Sequence, residues 1–476
     1  MAFILVFFCI SKASASNIIT FRPNCTRPPD GVNFVYNADA RATLDILWSC
    51  LFTLLVCTWT VQHLNIPRQA ILQSEKPPKG TIWQRFAAWA AKKWKSFIPK
   101  FKWMTLTLLL PEFILGKAFQ DLILARRSRK AIKREFAGEE WTLTHSFYAD
   151  MGGFVLKAKT RDIDIEGGKT ESKKAYIYLD AGRIYIARGG GDNVLHKKIL
   201  DSLPSITEDE IMDKSKGDFF VKAAALVQVL WLSIQVCVRA ARGLVVSQLE
   251  IVTLAYSVCT TITYILCWYK PQGTQVPTVV KLSKPVTVDL FTDPGYAYLT
   301  RGRPRSWFAT SLRLFRFKQA FSKKATAESL TLNRTDCLNP LPNDGRYDKA
   351  ASLFLPKEAM QTLLDDGFVV GGLVFGALHC SAWNSAFPTP VERLLWRISS
   401  TLSTCIVPLY YLVLLFDFHI KRFRLLKSNL WLLEGVVVFS YIFARVYLLV
   451  EVFRSLGFLP PQVFIGTWTR EMPHAG

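Results

Sequence analysis

The chain has 476 residues, half of them apolar, and 59 Lys and Arg against 37 Asp and Glu, a formal net charge of +22. Mean hydropathy is +0.19. Such apolar content excludes a disordered chain, and with so large a positive charge it argues against an ordinary soluble enzyme. The pair fits a multi-pass membrane protein with basic cytoplasmic loops. Ten cysteines make no disulfide scaffold and no CxxC pair, and most of them sit in apolar runs as small hydrophobes.

Residues 1–15 read as a signal peptide: Ala2–Ile10 is too short to span a bilayer, and Ala13-Ser14-Ala15 offers a cleavage site. Residues 16–43 then form a lumenal segment in which Asn24-Cys25-Thr26 is a glycosylation acceptor. A membrane helix is expected over 44–62. The basic segment 63–140 follows, with nine Lys or Arg against one acid between His63 and Trp103, which places it in the cytoplasm. Within it Trp83, Phe86, Trp89 and Phe97 recur at helical spacing beside Lys92, Lys93 and Lys95, the pattern of an interfacial helix on anionic lipid. Met104–Ala125 is long enough to span but carries Pro111, Glu112, Lys117 and Asp121, and six basic residues follow in RRSRKAIKR. With both flanks basic, a re-entrant or interfacial segment is expected rather than a crossing.

Residues 141–220 read as a small cytoplasmic α/β insertion. FVLKAK, AYIYL and RIYIAR alternate like strands, with Asp180-Ala181-Gly182 as a hairpin turn, Gly189–Gly191 as a loop, and Thr207 with Glu210 as a capping box. A pair of membrane helices is expected over 221–269 and a basic cytoplasmic loop over 270–366, with fifteen Lys or Arg against nine acids. Three more spans follow over 367–450 (Gly367–Phe387, Ile398–Phe416 and Leu430–Val450), then a lumenal tail, 451–476. The fold class is thus a polytopic, mainly α bundle of about six spanning helices plus the re-entrant piece, with both termini lumenal. This places a second acceptor motif, Asn333-Arg334-Thr335, in the cytoplasm, where it stays unglycosylated.

Motifs for common chemistries are missing. The six histidines form no HxxxH or HxxH box for a di-iron centre, and there is no HExxH, GxSxG or Walker lysine loop. Asp365-Asp366 lacks the third carboxylate of a magnesium–diphosphate site. No metal and no cofactor is expected, and the basic charge is assigned to membrane lipid rather than nucleic acid. Polar groups inside apolar segments are the candidates. One group is His379, Trp383 and Glu392 at a lumenal helix junction; its bland reading is a helix-bridging histidine beside interfacial anchors. A second is His145 and Asp150 in HSFYADMGGF, either an acid–base pair or the caps of a loop. A third is Arg445, on one face of the last helix with Glu434 and Tyr441, either lining a cavity or forming a clamp. Arg239 and Glu250, near the ends of neighbouring helices, read as an ion pair or as snorkelling ends.

The stretches Phe52–Pro67, Trp141–Phe154, Ile206–Asp218, Gln248–Pro271, Ala377–Arg397 and the end from ARVYLLVEVFRSLGFLPP to TWTREMPH resemble a large family of fungal multi-pass membrane proteins with no established activity. The resemblance implies a fungal origin and a shared layout of spans and loops, and supplies no catalytic residue. By exclusion, the expected function is a cofactor-independent membrane isomerase or cyclase of fungal secondary metabolism, pericyclases included, acting on a lipophilic terpenoid or polyketide; the expected membrane is the endoplasmic reticulum or another endomembrane, with the plasma membrane as the alternative. A non-catalytic receptor, scaffold or transport accessory is the alternative.

Overall fold

A computed structural model describes residues 41–67, 81–159, 163–165, 169–171, 174–191, 197–215, 219–280, 282, 286–287, 305–306, 345–346, 357–419 and 430–465. The signal peptide, Asn24, Asn333 and the basic loop after His419 lie outside the described residues, as does most of the loop over 270–366.

The helices are α1 (Thr43–Thr60), α2 (Ile82–Leu109), α3 (Pro111–Glu135), α4 (Leu143–Asp150), α5 (Ala181–Arg188), α6 (Glu208–Asp213), α7 (Phe219–Ala241), α8 (Gln248–Leu266), α9 (Lys357–Cys380), α10 (Pro390–His419) and α11 (Leu430–Ser455). Among the described residues, four helical stretches are long and apolar enough to cross a membrane: Thr43–Thr60, Lys222–Ala241, Gln248–Leu266 and Gly435–Phe458. The apolar part of α9 is shorter, Asp366–Cys380, and the helix stops at Cys380 rather than running on to Phe387.

α8 is the centre of the bundle. Every residue from Gln248 to Thr260 is buried, the signature of a helix packed on all sides. Its threonines answer their own hydroxyls: Thr253 donates to Leu249 O at 2.7 Å and Thr263 to Cys259 O at 2.8 Å. Thr53, Thr58 and Thr60 of α1 do the same one turn back, so these polar groups sit in apolar helices with no orphan donor. Gln228 of α7 donates across to Thr53 at 3.1 Å.

α9 is packed between α3 and α10 through small residues. A Cβ on Gly367 would lie 2.7 Å from Gly116 Cα, one on Gly371 2.8 Å from Glu112 Cβ, and one on Gly376 2.6 Å from Thr404 Cα. Glycines four or five apart let helix backbones approach where lipid offers no competing apolar drive.

One end of the bundle is tied by arginines. Arg239, at the end of α7, does not pair with Glu250. It donates to the carbonyls of Val245, Gln462, Val463 and Ile465 at 2.8–3.2 Å. Glu250 instead takes Arg41 at 2.7 Å and caps α8 through Ser247. The start of α1, the end of α7, the start of α8 and the chain past α11 therefore meet on one side.

The other end carries an α/β layer. β1 (Phe154–Lys159) pairs antiparallel with β4 (Lys174–Leu179) and parallel with β5 (Thr278–Val280) and β6 (Val286–Thr287). The sheet thus takes two strands from the segment read as a basic loop. Its core joins Phe154, Leu156, Ile177 and Leu179 to Ile66 and to Ile132 of α3. RIYIAR is helical, not a strand: Asp180 caps α5 by accepting from Arg183 N at 2.8 Å, and Gly189 closes it at φ 100°. The capping box at Thr207 and Glu210 does open α6. The short pairs β2 (Ile163–Ile165) with β3 (Lys169–Glu171), and β7 (Arg305–Ser306) with β8 (Gly345–Arg346), stand apart from this sheet.

The glycine contacts set a test. Gly376→Val should abolish the folded monomer peak of detergent-solubilised protein, because its side chain would meet backbone. Gly457→Ala, with open space around it, should change stability by no more than about 0.5 kcal/mol. Size-exclusion profiles after a heating series check both.

Candidate functional site

A fully buried polar group of the bundle is on α3. Leu110 interrupts the helical path, and Pro111 opens α3 at the position where proline suits a helix start. Glu112, next in line, is buried. Its Oε2 accepts from Arg445 Nη2 of α11 at 2.6 Å, and its Oε1 has no partner. Arg445 also donates from Nε and Nη2 to Tyr441 Oη, at 2.9 and 2.7 Å. Its guanidinium carbon stands 3.9 Å above the Phe375 ring. A phenol oxygen that accepts twice still has its own proton to give.

His379 joins through the same ring. Phe375 and His379 have centroids 4.4 Å apart, and His379 Nδ1 meets Phe375 O at 2.8 Å. A carbonyl oxygen only accepts, so Nδ1 carries the proton and Nε2 is the basic nitrogen. Trp396 covers the other side, donating to His379 O at 3.2 Å. Tyr256 of α8 packs edge-on to Phe375 and donates to Leu108 O, beside the break between α2 and α3. Arg445 and His379 thus meet at one aromatic ring, and Arg445 ties a carboxylate and a phenol to it; carboxylate, phenol and imidazole are groups that can move protons at a carbonyl compound.

The six sequence candidates divide. His379 and Arg445 come together across Phe375. Trp383 is exposed, with the Arg397 guanidinium 5.1 Å from its ring. Glu392 caps α10 through Thr389 N and pairs with Arg454. His145 and Asp150 lie in the α/β layer and do not address each other. His145 Nε2 donates to Ile206 O at 2.7 Å, while Nδ1 accepts from Thr142 N and Oγ1 at 3.2 and 2.8 Å. Both ring nitrogens are spent joining the start of α4 to the 206 loop. The glycines after Asp150 serve the backbone: Gly152 has φ 82°, and a Cβ on Gly153 would lie 2.5 Å from the Tyr148 ring.

Asp150 accepts from Ala181 N at 3.1 Å. Burial, and then the nearby Asp180 carboxylate, push its carboxyl up to about 8. Close by, Asp121 of α3 bridges Lys117 and Lys270, the latter at 2.8 Å. Glu112 was visible in the sequence only as a charge that spoiled a span; no spacing rule connects it to Arg445, 333 residues later. Tyr441 was visible through its face shared with Arg445. Among the described residues, no group of three or more His, Cys, Asp or Glu could hold a metal ion.

The model of a family described as "Family of unknown function (DUF8562)" matches residues 4–292, more than half of the chain, and the chain belongs to that family. No curated protein and no solved structure matches.

Two outcomes follow from this geometry. Arg445→Met alone should cost about 3–5 kcal/mol, because it leaves Glu112 buried and unpaired. Adding Glu112→Leu should return much of that loss, read as recovery of thermal stability in the double variant. For Asp150, the folded carboxyl holds its proton up to about pH 8 while the unfolded one ionises near 3.8. The unfolded state therefore releases the proton first, and stability falls as pH rises between those values. Melting curves from about pH 5 to about pH 8 should show a smaller fall for Asp150→Asn than for the unaltered protein.

Proposed function

We propose that this chain is an integral membrane isomerase or cyclase of fungal secondary metabolism, working without metal or nucleotide cofactor on a lipophilic carbonyl compound of terpenoid or polyketide type. The observation that carries the reading is the bare Oε1 of Glu112, buried beside a phenol whose oxygen is held by Arg445. In this reading Glu112 takes a proton from the carbon next to the substrate carbonyl. Tyr441 donates its hydroxyl hydrogen bond to the oxygen as enolate charge develops, with Arg445 behind it. Return of the proton at another carbon completes an isomerisation, and attack by the enolate carbon on an electrophile within the substrate closes a ring. His379 Nε2 is a second acceptor on the far side of Phe375. Holding the substrate in one reactive pose supplies the remainder of the rate.

The layout goes with it. Six crossings place the arginine-tied end in the lumen of an endomembrane and the α/β layer in the cytoplasm. α2 and α3 then enter and leave from the cytoplasmic side, which satisfies the basic flanks of both. The competing reading is a non-catalytic receptor, scaffold or transport accessory, favoured by Arg445 being held by Glu112, Tyr441 and Phe375 together, as a clamp would be.

Tyr441→Phe separates them, since it removes one oxygen and leaves the ion pair. In the native host, comparison of organic extracts by mass spectrometry should show one lipophilic precursor accumulating, isomeric with the missing product, in both the deletion strain and the Tyr441→Phe strain. The membrane level of the Tyr441→Phe protein should stay normal. An unchanged small-molecule profile in both strains would overturn the enzyme reading.

A further inference from the structure

The helix α2 is nearly unpacked for most of its length. From Ile82 to Phe101 the large apolar side chains Ile82, Trp83, Phe86, Trp94, Ile98 and Phe101 are exposed, Trp83 at 79%. The burial begins only at Trp103 and Thr107, where the helix enters the bundle. At ~100° per residue the six fall within one half of the helix circumference. Half a helix of aromatic surface left in water is an interaction surface rather than a fold element.

Two observations say what covers it. The first is charge: between Ile82 and Leu109 there are six Lys or Arg and no acid, so the helix as a whole suits a negatively charged plane. The second is depth. α1 has 18 residues, or ~27 Å at ~1.5 Å each, close to the ~30 Å hydrocarbon layer. Trp59, at its last turn, packs on Phe97 at 5.5 Å, and Lys100 Nζ stands 5.6 Å from the Trp59 ring. The middle of α2 is therefore held where a crossing α1 leaves the hydrocarbon, the level at which Trp and Lys side chains settle.

We propose that Ile82–Phe101 docks on the bilayer surface at this end of α1, with its aromatic side chains among the acyl chains and its cationic side chains on the phosphate or carboxylate of anionic phospholipid headgroups. The proposal rests on α1 crossing the membrane and is independent of any catalytic activity. α2 runs to Leu109, and Glu112 follows three residues later.

The test uses the full chain in vesicles, with Phe86 replaced by the photo-reactive p-benzoylphenylalanine, and the same probe at Leu230 of α7 as reference. Leu230 is exposed on a candidate span, so its probe should label acyl chains whatever the headgroup. At position 86, irradiation should add the mass of one phospholipid. The yield should rise several-fold when phosphatidylserine is mixed into phosphatidylcholine, and K92E/K93E/K95E should remove that rise. A yield indifferent to headgroup would overturn the anionic preference. Cross-linking to a second copy, or to no lipid while Leu230 labels normally, would overturn the docking itself.

Discussion

The ion pair between Glu112 and Arg445 sets the terms for the whole bundle. A carboxylate and a guanidinium inside an apolar assembly each lose several kcal/mol of hydration, which only close contact and further hydrogen bonds return. Here the return comes from a 2.6 Å contact, two bonds to Tyr441 and the face of Phe375. Those partners lie on α3, α11 and α9, so the pair is satisfied only when the three helices are close. Gly371 makes that possible: any side chain there would meet Glu112 itself. The glycine gives the charge pair the room it occupies.

The same accounting governs the ends. Arg239 is buried near the Glu250 carboxylate, which takes Arg41 as its contact partner, and its own hydrogen bonds go to four backbone carbonyls, three of them beyond α11. Those carbonyls belong to turns past a helix end, where intrahelical partners have run out. One side chain thus answers several orphan acceptors and fixes the end of the chain on α7. Glu250 is answered by Arg41 and by its own cap at Ser247. Thr53, Thr58, Thr60, Thr253 and Thr263 need no such help, because each returns its hydroxyl to the preceding turn.

What the sequence revealed follows from the range of each signal. Apolar length marked α1, α7, α8 and α11 to within a few residues, and Thr207 with Glu210 marked α6, because these are local patterns. RIYIAR was misread because alternation over six residues fits a strand, while the deciding features, the Asp180 cap and the left-handed Gly189, lie just outside it. The strands β5 and β6 were missed because three or two residues carry no period; their pairing with β1 is tertiary. His379 and Arg445 could be singled out as polar groups in apolar runs. Their meeting across Phe375, and the identity of Glu112 as the partner, could not be read, since nothing local joins positions 112 and 445.

The break at Leu110 shows why Glu112 sits where it does. Asp121 is tied to Lys270, just past the end of α8, and Glu112 precedes Asp121 by nine residues, ~13 Å of helix. Arg445 precedes the end of α11 by ten residues, ~15 Å. The two lengths sum to about the thickness of a hydrocarbon layer, so the ion pair lies near mid-bundle, far from either polar end. Irregular backbone at that depth is tolerated only where protein covers it. Here Tyr256 donates to Leu108 O, and Leu110 N still reaches Leu106 O at 2.7 Å. Pro111 needs no amide partner, so the interruption leaves few groups to answer. A straight helix through this point would carry the chain past Arg445 and out of the far side. Turning the chain at Leu110 brings a charged residue to the middle of the bundle and takes the basic stretch after Ala125 back toward the end where Lys270 and the α/β layer stand.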